Sequence, residues 1–417
     1  APKSFLNKSN QSVKEVQLLL SVQNVAVDNM GAALKKMDYG GGTVYNMKST
    51  KTLDPYKPSP FDFFDLAGED LRKGWRAQKD KLARLEKIKG KEAEKKYEDE
   101  KKIYDERLTV NMRDSEVKML PNVKVILATV EMVLKRITFK IKLAEALEKV
   151  TRVIIDEASL LTEAALFCLM RRFPEATFVL IGDDKQLPPF RYDERLFGSR
   201  LAGRAGLTVA MNTRRVPVVD LVKVYRAPQS LVNPYNRLAY EDKLESHVIQ
   251  QEFPLHDLGL VPREKAQLLF VEVNGRQERP KMSTSLYNDM EIEAARSLLN
   301  KFPPEKTADV MIICLYKEQK RRLQDKLGNN YTVLTVDSAQ GKEKPIVILL
   351  TTRTVAPTDG LFFCNRGRCN VAISRQQRAL IVLGHAQLLT QTEPWRSVVN
   401  GGDFTRIQTK DISAILA

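Results

Sequence analysis

Short runs of Val, Ile and Leu recur along the chain, and most are separated by stretches long enough for a helix. This alternation is typical of strands in a parallel sheet covered by helices. Ligands of such α/β proteins bind at the carboxyl ends of the strands. The sequence therefore predicts an α/β fold of parallel sheets and draws attention to the polar residues that follow each strand. The predicted strands are VQLLLS, VKVILAT, VTRVIID, ATFVLIGD, AQLLFVEV, VMIICL, PIVILLTT and ALIVLGH.

The chain has 417 residues, which favours two domains or one domain with large insertions. Hydrophobic residues make up 43% of it, enough for sizeable cores and too many for a wholly disordered chain. No apolar run reaches the roughly 18 residues that a membrane-spanning helix needs. The first residues also lack the apolar core of a signal peptide. We therefore expect a soluble chain without a membrane partner.

The charge balance is strongly basic, since 67 Lys and Arg against 52 Asp and Glu give a formal net charge of +15. This excess favours a polyanionic partner such as nucleic acid, although surplus lysines also serve solubility alone. The four cysteines are too few for a disulfide framework and lack the paired spacing of a zinc site. We expect a reducing compartment inside the cell, cytoplasmic or nuclear, with the cytoplasm slightly favoured.

The segment 71–107 is unusually charged, with 14 Lys and Arg against 9 Asp and Glu. Its sparse apolar residues, among them Trp75, Leu82 and Leu85, recur at helical spacing, and Gly90 interrupts the pattern midway. This predicts two antiparallel helices that form a basic hairpin. The hairpin is either a solvated stalk or an arm that grips nucleic acid, and the sequence leaves both open.

Two carboxylates, Asp156 and Glu157, directly follow a predicted strand in the sequence VIIDEAS. Adjacent acids at the tip of a buried strand are costly unless a cation or a reaction uses them; the alternative is a solvated acidic turn. The next strand runs into GDDKQLPPF, where Gln186 can hydrogen-bond both a phosphate oxygen and a water. In a phosphoryl-transfer site Asp156 would hold magnesium and Glu157 would polarise the attacking water.

Further motifs follow in a fixed order across nearly the whole chain outside the charged segment. In chain order the set is NVAVDNM, VILATVEM, DEAS, GDDKQLPP, VYRAPQSLVNPYNRLAYEDKL, SLYNDMEIEAARSLL, MIICLYKEQ, TVDSAQGKE and NRGRCNVAISR. On these motifs the chain resembles superfamily 1 helicases of the Up-frameshift-like branch. The resemblance implies two RecA-like domains with a charged helical hairpin inserted in the first. It also implies an ATP-dependent motor that moves 5′ to 3′ on single-stranded RNA or DNA.

The resemblance also assigns a catalytic set. ATP, with Mg²⁺ on Asp156, needs positive charge delivered to its γ-phosphate, as arginine fingers do. Arg226 and Arg375 match the two such arginines of the family. Outside these motifs, either arginine would more often be a surface ion-pair residue. Glu157 and Gln186 complete the expected catalytic residues.

Three further residues match nucleotide contacts of the family. Gly341 would let the backbone approach the nucleotide closely, and Glu343 would accept a hydrogen bond from the ribose. Arg368 stands where the family often has a second arginine of its last motif. Its neighbours Gly367 and Cys369 depart from the family pattern.

Four residues match the family's track for single-stranded nucleic acid, namely Asn24, Thr129, Thr335 and Asp337. Gripping without base recognition needs small polar groups and cations that contact phosphates. The alternative is that these residues only cap the helices that follow them. The motifs do not distinguish RNA from DNA, and protein regulators are open as further partners.

The phosphate-cradling loop of the family, GxxxxGK followed by Ser or Thr, does not occur in the chain. In the family this loop lies shortly upstream of the motif that begins here at Asn24. We expect the chain to begin just after the loop; Lys3 and Ser4, which have no glycines nearby, are a weaker candidate for a degenerate remnant. Without the loop, affinity for the triphosphate should be weak.

The sequence is therefore compatible with two functions. The chain is either the motor core of a helicase or a catalytically inactive relative that binds RNA or DNA as a scaffold. The presence of both acids, Gln186 and both arginines favours the motor, because an inactive protein has no physical need of all of them. We predict a first domain at 1–205 with an insertion at 50–115, and a second domain at 206–417.

Overall fold

The structure is a computed structural model that describes residues 15–39, 43–88, 90–137, 147–190, 196–249, 252–261, 266–358 and 362–414. These residues fall into two compact units. The first contains the chain up to Asp183 together with Pro189–Arg215, and the second contains Asp184–Pro188 together with the chain from Val216 onward. Lys3 and Ser4 lie outside the described residues.

The first unit is built on a five-stranded parallel sheet with the strand order β2-β3-β1-β4-β5. The strands β3 and β4 lie on either side of β1 and run parallel to it. Ser21, the last residue of β1, pairs with Thr129 of β3 and with Asp156 of β4. The carboxyl ends of these three strands therefore lie at one edge. The strands are β1 Val16–Ser21, β2 Val44–Met47, β3 Val125–Thr129, β4 Val150–Asp156 and β5 Thr177–Leu180.

Helices cover both faces of this sheet. Val27 of the first helix packs with Val125 and Leu127 on one face, while Val133 and Leu169 belong to the larger apolar cluster of the other face. The helices are α1 Asn24–Lys36, α2 Phe63–Leu66, α3 Glu69–Glu86, α4 Lys91–Met119, α5 Val130–Ile137, α6 Glu163–Arg172, α7 Phe197–Ala202 and α8 Gly206–Asn212.

The predicted charged hairpin is confirmed as the pair α3 and α4, which is inserted between the neighbouring strands β2 and β3. Its base has a small apolar core in which Trp75 packs edge-on against Tyr104 at 5.0 Å between ring centroids. Farther along, the helices are joined by an ion pair between Lys81 and Glu100, 2.6 Å apart. The remaining core residues are Leu53, Phe63, Phe64, Leu108 and Met112.

The second unit is built on a six-stranded parallel sheet with the order β10-β9-β11-β12-β8-β13. Its central strands β11 and β12 are buried over most of their length, as expected for continuous apolar runs covered on both faces. The strands of this sheet are β8 Leu268–Glu272, β9 Val310–Cys314, β10 Thr332–Thr335, β11 Lys344–Leu350, β12 Gln376–Gly384 and β13 Thr405–Gln408. The short strands β6 Lys223–Val224 and β7 Glu245–Ser246 form a separate parallel pair.

The helices of the second unit pack against its parallel sheet, so that each unit is an α/β structure with a parallel sheet. The predicted fold class is confirmed. Within the described ranges, no helix is both long and apolar enough to cross a membrane. The helices are α9 Gln229–Ala239, α10 Pro254–Asp257, α11 Asp289–Leu299, α12 Lys317–Leu327, α13 Val336–Ala339, α14 Arg366–Ala372, α15 Ala386–Gln391, α16 Trp395–Val399 and α17 Thr409–Ala414.

Candidate functional site

The paired acids of the first unit stand at the end of β4. Asp156 is the last residue of the strand, and its Oδ1 accepts a hydrogen bond from the backbone N–H of Glu157 at 2.9 Å. Glu157 has left-handed backbone angles, φ 53° and ψ 38°. Such a conformation is uncommon for a residue with a side chain, and backbone strain of this kind clusters at functional sites.

The segment that follows β5 contacts the backbone of the residues directly after these acids. Ala158 donates its N–H to the carbonyl of Ile181 at 2.8 Å. A Cβ added to Gly182 would lie 2.8 Å from the backbone nitrogen of Ser159 and 3.0 Å from that of Ala158. Only glycine fits this approach, so Gly182 allows the two acidic segments to pack together.

The two candidates for nucleic-acid binding in the first unit both lie at the start of a helix. Thr129 ends β3, and its Oγ1 accepts the N–H of Met132 at 3.3 Å, so it caps α5. Asn24 is the first residue of α1. Thr129 and Asp156 are both neighbours of Ser21, which places them about 10 Å apart, at two strand spacings.

The candidate residues of the second unit gather around Ser374. Arg226 donates from Nη1 to the backbone carbonyl of Ser374 at 3.1 Å, and its Nε pairs with Glu343 Oε2. Arg375 donates from Nη2 to the Ser374 hydroxyl at 2.8 Å. The two predicted fingers are therefore anchored on the same residue.

Gln186 belongs to the short segment grouped with the second unit, and it meets Arg375 there. The Arg375 Nη2 donates to Gln186 Oε1 at 3.3 Å. The structure thus brings together Gln186, Arg226, Glu343 and Arg375. Arg375 is only 2% exposed. A buried arginine is costly unless its donors are used, and its Nη2 makes both of these contacts.

Two further residues hold this segment through contacts that the sequence did not predict. Asn370 Nδ2 donates to the carbonyl of Lys185 at 3.0 Å and to Tyr240 Oη at 2.9 Å. A Cβ added to Gly367 would lie 2.4 Å from the carbonyl oxygen of Gln186. The departure of Gly367 from the family pattern therefore has a physical reason, because a side chain would displace Gln186.

Tyr235 of α9 was also missed. Its side chain is buried, and burial raises its pKa to about 12, although the charges of Arg226 and Arg375 act in the opposite direction. The phenol is therefore neutral near pH 7 and presents no competing negative charge to the arginines. Its sequence signal is only an aromatic residue on the apolar face of a helix, which does not distinguish it from an ordinary core residue.

The remaining candidates form a separate pair. Arg368 Nε lies 3.1 Å from Asp337 Oδ1, and the Arg368 guanidinium stacks 4.4 Å from the ring centroid of Phe362. Thr335 exchanges hydrogen bonds with Ser338 and caps α13. Arg368 and Asp337, which the resemblance assigns to different ligands, thus contact each other. Gly341 adopts a φ of 72°, a conformation that favours glycine.

Comparison with known proteins extends this picture. Two family models, each described as an AAA domain, match residues 47–192 and 204–387. An uncharacterized ATP-dependent helicase of Caenorhabditis elegans, C05C10.2, is 33% identical over 267 residues, which are 62% of this chain and 17% of that protein. The regulator of nonsense transcripts 1 homolog of Neurospora crassa is 26% identical over 238 residues, 53% of this chain and 21% of that protein.

Among solved structures, Saccharomyces cerevisiae Dbp5 bound to RNA and ADP BeF3 aligns with a TM-score of 0.44 at 12% identity. The alignment covers 97% of this chain and 82% of that one. The chain spans about a fifth of the length of the two curated relatives. By its family models, its helicase relatives and its two RecA-like sheets, the chain belongs to the superfamily 1 helicases of the Up-frameshift-like branch.

Proposed function

We propose that the protein is an ATP-dependent helicase that moves 5′ to 3′ along single-stranded RNA or DNA. The observation that carries the proposal is that Arg226 and Arg375 both contact Ser374 while Arg375 also contacts Gln186, in a chain of this family. Two guanidinium groups held this closely repel each other, and an anion such as the γ-phosphate of ATP would relieve that repulsion.

The acids of the first unit supply the other part of the chemistry. Glu157 acts as the base that orients and polarises the attacking water, and its left-handed backbone supports this role because strain of this kind clusters at active sites. Gln186 is the proposed hydrogen-bond partner of a phosphate oxygen and a water. Arg226 and Arg375 stabilise the negative charge that develops on the transferred phosphoryl group.

The residues present fit a magnesium ion. Asp156 offers a carboxylate at the end of a parallel strand, with one oxygen bonded to the N–H of Glu157, and oxygen ligands are those that Mg²⁺ prefers. Asp156 would hold the ion, which supplies charge neutralisation at the phosphates. Gly341 and Arg368 are the further proposed nucleotide contacts in the second unit.

The nucleic-acid contacts of the proposal are Asn24, Thr129, Thr335 and Asp337. Helix capping does not compete with this role for Thr129, because its hydroxyl accepts the helix N–H and keeps its own proton to donate to a phosphate oxygen. Contacts of this type follow the backbone and tolerate any base sequence. The net charge of +15 supports a polyanionic partner.

The same proposal includes domains at 1–205 and 206–417 with the insertion at 50–115. The compact units divide at Arg215, close to the proposed boundary. All four cysteines are free, which is compatible with a reducing compartment.

Strand displacement by the full-length protein tests the proposal. Partial duplexes with either a 5′ or a 3′ single-stranded overhang, in RNA and in DNA, are incubated with ATP or with a non-hydrolysable analogue. We expect release of the labelled strand only with ATP and only from the 5′ overhang. Binding to all substrates without strand release would leave only a scaffold function.

A further inference from the structure

Both carboxylate oxygens of Glu343 are engaged by other side chains. Oε2 pairs with Arg226 Nε, and Oε1 accepts a hydrogen bond from Gln377 Nε2 at 2.9 Å. A carboxylate accepts through both oxygens, so these two contacts hold it in a defined orientation. The same carboxylate is the one expected from the family to accept a hydrogen bond from the ribose.

The contacts of Glu343 lie at the start of two neighbouring strands of the second sheet. Glu343 directly precedes β11, and Gln377 is the second residue of β12. These strands are parallel neighbours, and Lys344 donates its N–H to the carbonyl of Arg375 at 3.1 Å. Side chains mounted on sheet strands are positioned more accurately than side chains on loops.

Arg226 is fixed at two points while it keeps donors for a ligand. Its Nε meets Glu343 and its Nη1 meets the Ser374 carbonyl. A guanidinium has five N–H donors, so three are left for an anion. The Arg226 side chain is 36% exposed, so a ligand can reach it, and without these contacts so long a side chain would sample many rotamers.

The surroundings make Glu343 the source of negative charge beside Arg226. Tyr235, an acidic group near both arginines, is buried and neutral. Arg375 adds a like charge next to the same Ser374. A carboxylate that offsets this repulsion keeps Arg226 in place before any phosphate arrives.

We propose that Glu343 is a positioning residue that orients the Arg226 guanidinium for the γ-phosphate, and that Gln377 in turn orients Glu343. This inference rests on the proposed function and replaces the ribose contact as the role of Glu343. Preorganisation of this type lowers the barrier of the chemical step and changes substrate binding little. It therefore predicts an effect on kcat rather than on KM.

A double-mutant cycle measures the coupling. Nucleic-acid-stimulated ATP hydrolysis by the full-length protein is compared for the wild type, Glu343→Gln, Arg226→Ala and the double variant. We expect Glu343→Gln to lower kcat by about tenfold with KM within about twofold, and to add nothing once Arg226 is Ala. Independent effects that multiply in the double variant would overturn the inference.

A second arm separates positioning from ribose binding. The wild type and Glu343→Gln are each given ATP, 2′-deoxy-ATP and 3′-deoxy-ATP. If Glu343 positions Arg226, the ratio of kcat/KM between ATP and its deoxy analogues is the same in both proteins. If Glu343 instead binds the ribose, the variant loses this discrimination and its KM for ATP rises, and the inference is wrong.

Matched variants control for general effects. Glu252→Gln breaks another exposed arginine pair of the same unit, with Arg378, and should leave kcat unchanged. Gln377→Leu removes the support of Glu343 and should lower kcat by a smaller factor. It also tests the inference if Glu343→Gln fails to fold, since an unchanged kcat in a folded Gln377→Leu would contradict it. A wild type without stimulated turnover removes the proposed function and this inference together, whereas additive effects in an active enzyme remove the inference alone.

Discussion

Thr129 and Asp156 lie on opposite sides of Ser21, at the same carboxyl edge of the first parallel sheet. One is a proposed contact of nucleic acid and the other a proposed contact of magnesium. The central strand β1 therefore lies between the two proposed contact residues. A shift of β1, or of the chain that follows it, would displace both of them. This arrangement gives a direct structural route by which nucleic acid could stimulate hydrolysis.

The hydroxyl of Thr129 is predicted to serve both the helix cap and the nucleic acid. Thr129→Val removes the acceptor for Met132 and should lower the free energy of unfolding by about 1 kcal/mol. It should also weaken binding to a single-stranded oligonucleotide by about fivefold, since the loss of a hydrogen bond costs about 1 kcal/mol. Thr129→Ser, which keeps the hydroxyl, should do neither. Fluorescence anisotropy measures the binding, and equal Kd values for all three proteins would contradict the proposed contact.

Gly182 is predicted to be required by packing. Gly182→Ala places a methyl group 2.8 Å from the backbone nitrogen of Ser159, so the protein should lose about 1–3 kcal/mol of unfolding free energy. Gly74→Ala is the matched control, because nothing lies within 4 Å of that added carbon in α3 and alanine favours the helix by about 0.5–1 kcal/mol. Urea denaturation of both variants checks the pair. The packing argument fails if Gly182→Ala is as stable as the wild type.

Glu291 is predicted to make stability depend on pH. It is fully buried, and burial raises its pKa to about 8 from 4.5, although bonds from Thr351 and Thr352 favour the charged form. Between those values the folded protein holds a proton that the unfolded chain has released. Its contribution is therefore complete below about pH 4.5 and is lost as the pH rises to about 8.

The isosteric change Glu291→Gln should flatten the decline in unfolding free energy between pH 5 and pH 8. The neighbouring Cys314 is also buried with its pKa raised, so it stays neutral in this range. Glu293→Gln on the same helix is the control, since Glu293 is exposed and pairs with Lys326. A decline that persists unchanged in Glu291→Gln would show that another group titrates.

The charged hairpin is predicted to contact nucleic acid if it is an arm rather than a stalk. Replacement of Lys95, Lys96, Lys101 and Lys102 by Gln should reduce the slope of log K against log salt by about 0.7 for each phosphate that the hairpin no longer neutralises. Replacement of the hairpin acids Glu94 and Glu98 by Gln should have the opposite effect and tighten binding. Slopes that match the wild type in both variants would identify a stalk.

The fold was predictable wherever burial dominates the sequence pattern. All eight apolar runs contain strands. Strands such as β9 and β11 are buried almost throughout, and a strand buried on both faces must be apolar, whereas the edge strand β5 alternates exposed and half-buried residues. The short strands β2, β6, β7, β10 and β13 were not predicted. The strand β13, for example, alternates half-buried and exposed residues at the sheet edge, and such a pattern over four residues does not differ from a loop.

The candidate site was predictable only in part. Asp156, Glu157, Arg226 and Arg375 are recognisable because their motifs keep a fixed order along the chain. The role of Asn370 depends on a contact with the distant Lys185, which no local pattern encodes. For the same reason the sequence could not reveal that Arg226 meets Glu343, nor that Arg368 meets Asp337.

The most direct test of the motor function is ATP hydrolysis by the full-length protein, measured with and without single-stranded nucleic acid, for the wild type and for Glu157→Gln. The account predicts turnover that nucleic acid stimulates and that Glu157→Gln lowers by at least about 100-fold, the typical contribution of a general base. Nucleic-acid binding should stay within about twofold, since Glu157 is not a proposed contact of the strand. Turnover that nucleic acid does not stimulate, or that Glu157→Gln leaves intact, would contradict the account.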